Sequence, residues 1–286
     1  MIKKAVLPVA GFGTRFLPAS KAIPKEMLPI IDKPLVQYAV EEAVNAGIDE
    51  IIFITSPEKV SIEKHFSKNE ILENTLKKNN KDQFIDLLNP PIFEKITFHY
   101  VLQEQQKGLG DAVLCAEELV GDDPFAVLLP DDLFISEESC LQKLINEFNK
   151  NSKSVIAVNY IDKKNIHKYG VIDPIFYENE QIQIKSIVEK PSAEDAPSDL
   201  AVCGRYIFKS SIFKYLKKTT ADLSQEVQLT DAIQEMLASS DVFAKIYDGL
   251  KFDCGSKSGF VEATLYLAMQ DKDLKEKISI SKETDS

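Results

Sequence analysis

At 286 residues the chain is long enough for one large α/β domain or two small ones, and 44% hydrophobic with 28% charged residues is ordinary for a soluble globular protein. A net charge of −11 argues against nucleic acid or an anionic membrane as the main partner, and no apolar run approaches the ~18 residues of a membrane span. The charge is uneven: residues 1–33 hold six Lys/Arg and two Asp/Glu, a net +4 that leaves −15 for the rest, so a small polyanion is the expected guest of the N-terminal segment.

The chain opens with MIKK and the apolar run AVLPVAG, which Pro8 interrupts and Gly11 and Gly13 end. That reads as a buried strand over 5–10 rather than a signal peptide. PLVQYAVEEAVNAG has apolar residues at helical spacing, with Pro34 at the expected first helical position and Gly47 at the expected stop. IIFIT (51–55) reads as a second buried strand, and the Lys/Glu/Asn-rich stretch 58–92 as a weakly helical surface insertion closing at Asn89-Pro90-Pro91. TFHYVL (97–102) is a strand, GDAVLCAEELV (110–120) a helix, and FAVLL (125–129) a strand ending in Pro130-Asp131-Asp132. This alternation implies parallel strands with right-handed crossovers, whose ligands gather at the carboxyl ends of the strands. The turn at 11–15, the loop at 104–110 and Asp131 then share one rim.

Beyond residue 150 the pattern is strand-rich (SVIAVNYI, YGVID, IKSIVEK, AVCGRYIF), with helices expected over roughly 225–238 and 258–272 and the last dozen charged residues expected to fray. No composition break marks a linker, so the expectation is a single domain over 1–286. Within it, 1–135 would be a nucleotide-binding part, 136–255 a sugar-phosphate-binding part and 256–286 a C-terminal helical segment. Cys115, Cys140, Cys203 and Cys254 form no C-x-x-C pair, which suits reduced thiols in a cytoplasm.

The stretch VLPVAGFGTRFLPASKAIPKEMLPI carries the first chemistry. As a dinucleotide fingerprint it fails, because Phe16 stands where a closing glycine is needed and no acidic residue ends the next strand. It also lacks the Gly-Lys-Ser/Thr of a Walker loop. What remains is a flexible turn whose N–H groups can face an anion, with Arg15 able to fork onto phosphate oxygens and Lys25 to supply a point charge. A surface turn with solvated lysines is the competing reading. Asp131 and Asp253 each end an apolar stretch at the expected rim, and Mg²⁺ is typically held by one or two carboxylates plus substrate phosphates. An Asp after a strand can equally be a turn or cap residue.

GxGTRxxP followed by PKEMLPI, continued by KGLGDAV, FAVLLPDDL, YGVI, VEKP, CGRYIF, LTDAI and FDCGS over about residues 2–270, resembles the sugar-phosphate nucleotidyltransferases. The long opening resembles their uridylyltransferase branch; thymidylyltransferases carry Lys-Gln where this chain has Lys25-Glu26. The resemblance implies a Rossmann-like α/β fold, a mixed, mostly parallel central sheet flanked by helices. The reaction it implies joins UTP and α-D-glucose 1-phosphate into UDP-glucose and pyrophosphate, assisted by Mg²⁺, in a homodimer or homotetramer. It places Ala10, Gly11, Gly13, Thr14, Glu26, Gln103 and Gly108 at the nucleotide, Gly170, Glu189 and Gly204 at the sugar, and Asp131 and Asp253 on the metal. Arg15, Lys25 and Lys190 become the catalytic cations, Lys190 on the sugar phosphate. Asp111 departs from the histidine common at its position, and a carboxylate there is unfavourable beside a triphosphate unless it faces away. A dTDP- or ADP-glucose pyrophosphorylase and a non-catalytic sugar-nucleotide-binding regulator on the same fold are the alternatives. NAD chemistry is remote.

Overall fold

The structure, a computed structural model, describes residues 1–177, 181–222 and 225–283. The chain begins β1 (Lys4–Pro8), β2 (Pro29–Ile30), β3 (Lys33–Pro34), α1 (Leu35–Asn45) and β4 (Glu50–Thr55). The insertion folds as α2 (Val60–Phe66), α3 (Glu70–Lys78) and α4 (Ile85–Leu88). Next come β5 (Thr97–Leu102), α5 (Leu109–Leu114), α6 (Glu117–Val120), β6 (Phe125–Leu128), β7 (Asp132–Ile135) and α7 (Cys140–Asn151). The second half comprises β8 (Ser154–Tyr160), β9 (Gly170–Phe176), β10 (Ile182–Glu189), β11 (Leu200–Phe208), α8 (Ile212–Leu216), α9 (Leu229–Leu237), β12 (Val242–Ile246), β13 (Leu250–Asp253), α10 (Lys257–Gln270) and α11 (Lys272–Glu283).

Among the described residues nine strands form one sheet in the order β5-β4-β1-β6-β11-β8-β12-β10-β9. β5, β4, β1 and β6 run parallel, as the strand–helix alternation requires, while β11 enters antiparallel to β6 and makes the sheet mixed. One bridge, Ala201↔Val171, brings β9 back against β11, so the later strands curl toward closure. The alternation of side chains along each strand builds a core on both faces. In β1, Val6 joins the cluster with α5, α8 and α9, while Ala5 and Leu7 join that with α1 and α7. A small sheet of β7 and β13 stands apart from the main one, over Ile30, Leu35 and Ala263.

Four expectations shift. Pro34 is the cap before α1 rather than its first helical residue. The helix expected over 110–120 is two pieces, α5 and α6, because Ala116 N–H bonds back to the Val113 carbonyl in a tightened turn. The helix expected from 225 begins at Leu229, since Val227 is tied instead to the 107–110 loop: its N–H donates to the Lys107 carbonyl at 2.6 Å and its carbonyl accepts from Gly110 at 2.8 Å. The expected fraying of the last dozen residues is overturned through Glu283, because Asp271 Oδ1 accepts the Leu274 N–H at 2.9 Å and starts α11; residues 284–286 lie outside the described residues.

Candidate active site

The glycine turn after β1 lies next to the Lys25 side chain. Gly13 sits at φ 65, in the left-handed region, and a Cβ there would come within 3.1 Å of Lys25 Cβ, so glycine serves both the turn and the packing of the lysine stem. Thr14 and Arg15 follow in a short 3₁₀ turn, both exposed together with Gly11. Lys25 Nζ lies 2.7 Å from Asp131 Oδ2, joining the turn to the end of β6 across 106 residues of sequence. Burial alone would lower the Lys25 pKa, but Asp131 and Glu26 outweigh it and hold the ammonium above its ordinary value. Burial acts upward on Asp131, and the lysine more than offsets it, keeping the carboxyl below the usual range. Arg15 is close enough to oppose the charge on Lys25.

Asp253 reaches the same place through β13. That strand pairs antiparallel with β7 and sets Asp253 opposite Asp132, next to Asp131. The two carboxylates converge over Gly255: a Cβ there would stand 2.8 Å from Asp131 Oδ2 and 3.1 Å from Asp253 Oδ1, so only glycine leaves the space free. Two carboxylates with no His or Cys make an oxygen-only donor set, suited to a hard divalent cation that completes its shell with water or substrate phosphate. Among the described residues no group of three or more His, Cys, Asp or Glu is placed to hold a metal ion. The neighbouring Asp132 is occupied otherwise. Its Oδ1 pairs with Lys251 Nζ at 2.9 Å, and burial raises its carboxyl to about 6 against the pull of that lysine.

The loop that carries Asp131 is braced from beneath by Arg205, which is 1% exposed. Its Nη1 donates to the carbonyls of Leu129 (2.8 Å) and Gly204 (3.0 Å), and Nη2 donates to the carbonyl of Asp132 (2.8 Å). Nε and Nη2 also reach Glu42 Oε2 at 3.0 and 2.9 Å. Gly204, at φ 73, lies under the Asp132 carboxylate where β11 shifts register against β8 between Val202 and Tyr206. A cavity of about 240 Å³ opens there, lined by Asn159, Tyr169, Cys203, Lys251 and Asp253 among others.

Tyr169 links this rim to the end of β10. Lys251 Nζ stands 5.0 Å from its ring centroid, and its carbonyl accepts the Lys190 N–H at 3.1 Å. Lys190 is exposed and held at φ 44, a strained conformation for a side-chain-bearing residue ahead of a proline. Its ammonium lies 3.1 Å from Glu189 Oε1, while Glu189 Oε2 accepts from Thr230 Oγ1 at 2.7 Å. Gly170 passes under that bond, 3.2–3.3 Å from both partners for an added Cβ.

On the other side of the turn, Gln106 Nε2 donates to the Ala10 carbonyl at 3.1 Å and joins the two glycine loops. Gly108, at φ 98, packs against Val227. Gln103, 4% exposed, donates Nε2 to Asp111 Oδ2 at 2.7 Å, so Asp111 is turned onto a neutral amide. Glu26 is 2% exposed and faces inward onto Lys59 Nζ at 2.8 Å; burial pushes Glu26 up and Lys59 down, each outweighing the partner's attraction. Sequence reasoning passed over Arg205, Thr230, Lys59 and Lys251. Arg205 and Thr230 lie inside CGRYIF and LTDAI, where a polar residue in an apolar run was the available signal; nothing local marks Lys59 or Lys251.

The nucleotidyl transferase family model matches residues 4–270. A UTP–glucose-1-phosphate uridylyltransferase of Bacillus subtilis (strain 168) is 45% identical over 277 residues, spanning 97% of this chain and 94% of its own. Another, of Staphylococcus haemolyticus (strain JCSC1435), is 44% identical over 97% of this chain and 96% of its own. Among solved structures, a UTP-bound UGPase from Acinetobacter baumannii shares a TM-score of 0.90 at 42% identity, covering 98% of each chain. A UDP-glucose pyrophosphorylase complexed with UDP-glucose gives 0.85 at 43% identity, covering 95% of this chain and 100% of that one.

Proposed function

The chain belongs to the nucleotidyl transferase family, and from that premise we propose that it converts UTP and α-D-glucose 1-phosphate into UDP-glucose and pyrophosphate. The observation that carries the reading is the convergence of Asp131 and Asp253 beside Lys25, on the rim of a chain similar to uridylyltransferases along almost its full length. An oxygen of the sugar phosphate attacks the α-phosphorus of UTP, and the bond from that phosphorus to the bridging oxygen of pyrophosphate breaks in line. A phosphate monoester has a second pKa near ~6, so the nucleophile is already mostly dianionic near neutrality and needs no general base. The obstacle is bringing two anions together.

The residues divide that work. Arg15 and Lys25 draw the triphosphate onto the glycine turn, with the backbone of Gly11, Gly13 and Thr14 facing it. Lys190 holds the sugar phosphate, and Glu189, steadied by Thr230, accepts from sugar hydroxyls above Gly170. Gln103 and Gly108 meet the base. Asp131 and Asp253 would hold a divalent cation, for which we propose Mg²⁺; bound there, it supplies charge that offsets the crowding phosphates. Residues 1–135 then serve the nucleotide and 136–255 the sugar phosphate, and the C-terminal segment expected over 256–286 is helical as far as Glu283, the remainder lying outside the described residues.

We place the protein in the cytoplasm as a homodimer or homotetramer. The four cysteines are free, no helix among the described residues is long and apolar enough to cross a membrane, and Val261, Leu265 and Met269 form an exposed apolar stripe on α10 that suits self-association. The test of the activity is pyrophosphate release from glucose 1-phosphate with UTP, dTTP, ATP, CTP and GTP, each with and without Mg²⁺. UTP should exceed dTTP in kcat/KM and purine nucleotides should be poor. Comparable turnover of ATP would overturn the uridylyl assignment.

A further inference from the structure

The Gln103 side chain is held by two acceptors on one side. Its Nε2 lies 2.7 Å from Asp111 Oδ2 and 3.3 Å from the Gly108 carbonyl. A carboxylate and a peptide carbonyl both accept, so the atom facing them must be the amide nitrogen, and both of its hydrogens are engaged. The carbonyl Oε1 has no partner among the described residues, yet is not one of the buried oxygens sealed without one. It is the unpaired end of the amide, on a side chain 4% exposed. Its backbone continues the sheet, Gln103 N–H donating to Thr55 at 2.8 Å, and Gln106 binds the loop to Ala10 of the glycine turn. The unpaired acceptor therefore belongs to the nucleotide side of the rim.

We propose that Asp111 is a positioning residue that locks the Gln103 amide with its oxygen toward the base, so that the site selects bases presenting an N–H there, as uracil and thymine do, over cytosine, which presents a lone pair. The proposal rests on the uridylyl-transfer reading above and deepens it. A free glutamine would be a poor discriminator, because flipping its amide exchanges acceptor for donor at almost no cost. An aspartate removes that freedom, having only acceptors to offer. A neutral imidazole or an asparagine at this position offers one donor and one acceptor and could meet either orientation, leaving only the 3.3 Å bond to the Gly108 carbonyl to favour the first. The departure from histidine here thus tightens base choice, and the aspartate's charge is spent on an amide hydrogen rather than turned toward phosphate.

The experiment measures kcat and KM for UTP and CTP at saturating glucose 1-phosphate, and nucleotide binding by calorimetry, for the wild type, Asp111→Asn, Gln103→Glu and the double variant. Asp111→Asn should cut the UTP-over-CTP ratio of kcat/KM about tenfold, the worth of one misdirected hydrogen bond. The loss should lie in nucleotide KM, with the glucose 1-phosphate KM unchanged. Gln103→Glu alone sets two carboxylates against each other and should weaken UTP binding. Combined with Asp111→Asn it should restore the preference, since the introduced asparagine can donate to the introduced, acceptor-only glutamate. A UTP/CTP ratio unchanged in Asp111→Asn, an equal loss on both nucleotides, or no rescue in the double variant would each overturn the proposal. Absence of UTP turnover in the wild type would instead overturn the reading beneath it, and the proposal with it.

Discussion

Replacing Arg205 with methionine tests whether the loop carrying Asp131 is held by a buried charge. The guanidinium has five N–H donors, and the structure engages it with the Leu129, Gly204 and Asp132 carbonyls and with Glu42, while its Cζ lies 4.2 Å from the Phe134 ring centroid. Methionine fills much of the volume but leaves the Glu42 carboxylate facing an apolar group and strips the Leu129 and Asp132 carbonyls of a donor. Removing one partner of a buried ion pair costs about 3–5 kcal/mol. At ~2–4 °C per kcal/mol for a domain approaching this size, the melting temperature should fall by roughly 6–20 °C. Glu42→Gln added to Arg205→Met removes the stranded charge and should recover at least about 1 kcal/mol. The two carbonyls that lose this donor flank Asp131, so Arg205→Met should also shift the Mg²⁺ dependence of the rate. Thermal melts and urea titrations of both variants provide the stability readout. A single variant melting within about 2 °C of wild type, or a double variant no better than the single, would refute the reasoning.

Asp131→Asn and Asp253→Asn should each move the Mg²⁺ midpoint of the rate upward, with a fall in melting temperature for Asp131→Asn alone, which takes the partner from Lys25, and unmoved midpoints in both would remove the metal assignment. Lys190→Ala should raise the glucose 1-phosphate KM and lower kcat/KM by about 10²–10³, with UTP binding unaffected and only partial rescue by Lys190→Arg, whose planar fork replaces a compact ammonium. Near-normal kinetics in Lys190→Ala would make that lysine a surface charge. His65, whose Nε2 lies 2.8 Å from Gln37 Oε1, is held below its ordinary pKa by burial, so the unfolded chain takes up the proton first as pH falls. Its contribution is complete above about pH 6.5 and declines below it, so the melting-temperature gap between wild type and His65→Gln should narrow from pH 8 to pH 5.5. A constant gap would show that the imidazole takes up its proton alike in the folded and unfolded states and that burial does not hold its pKa down.

Local pattern carried much of the fold into view. The apolar runs at 51–55, 97–102 and 125–128 are strands because β-branched and aromatic residues favour a pleated, buried surface, and the helical spacing of 35–45 matches α1. The cationic opening stood out by charge count alone, and the ordered glycine and lysine motifs pointed to the family. What failed locally failed for a nonlocal reason. The helix expected from 225 was delayed to Leu229 by bonds to residues 107–110, and the C-terminal segment, charged enough to look frayed, is a helix started by the Asp271 cap.

The sequence by itself determined which residue types cluster at the glycine turn and where the strands that present them end, because those depend on side-chain period and turn chemistry within a few residues. Only the tertiary structure decided what those residues face. Asp131 meets Lys25 across 106 residues, and Asp253 arrives beside it because β13 pairs with β7 in one particular register. Arg205 sits in a strand buried along its whole length, and Asp111 spends its charge on Gln103 rather than on solvent. Each of these pairings is fixed by strand register and loop closure over long separations, and desolvation then sets its energy. Neither quantity is a property of a short stretch of chain.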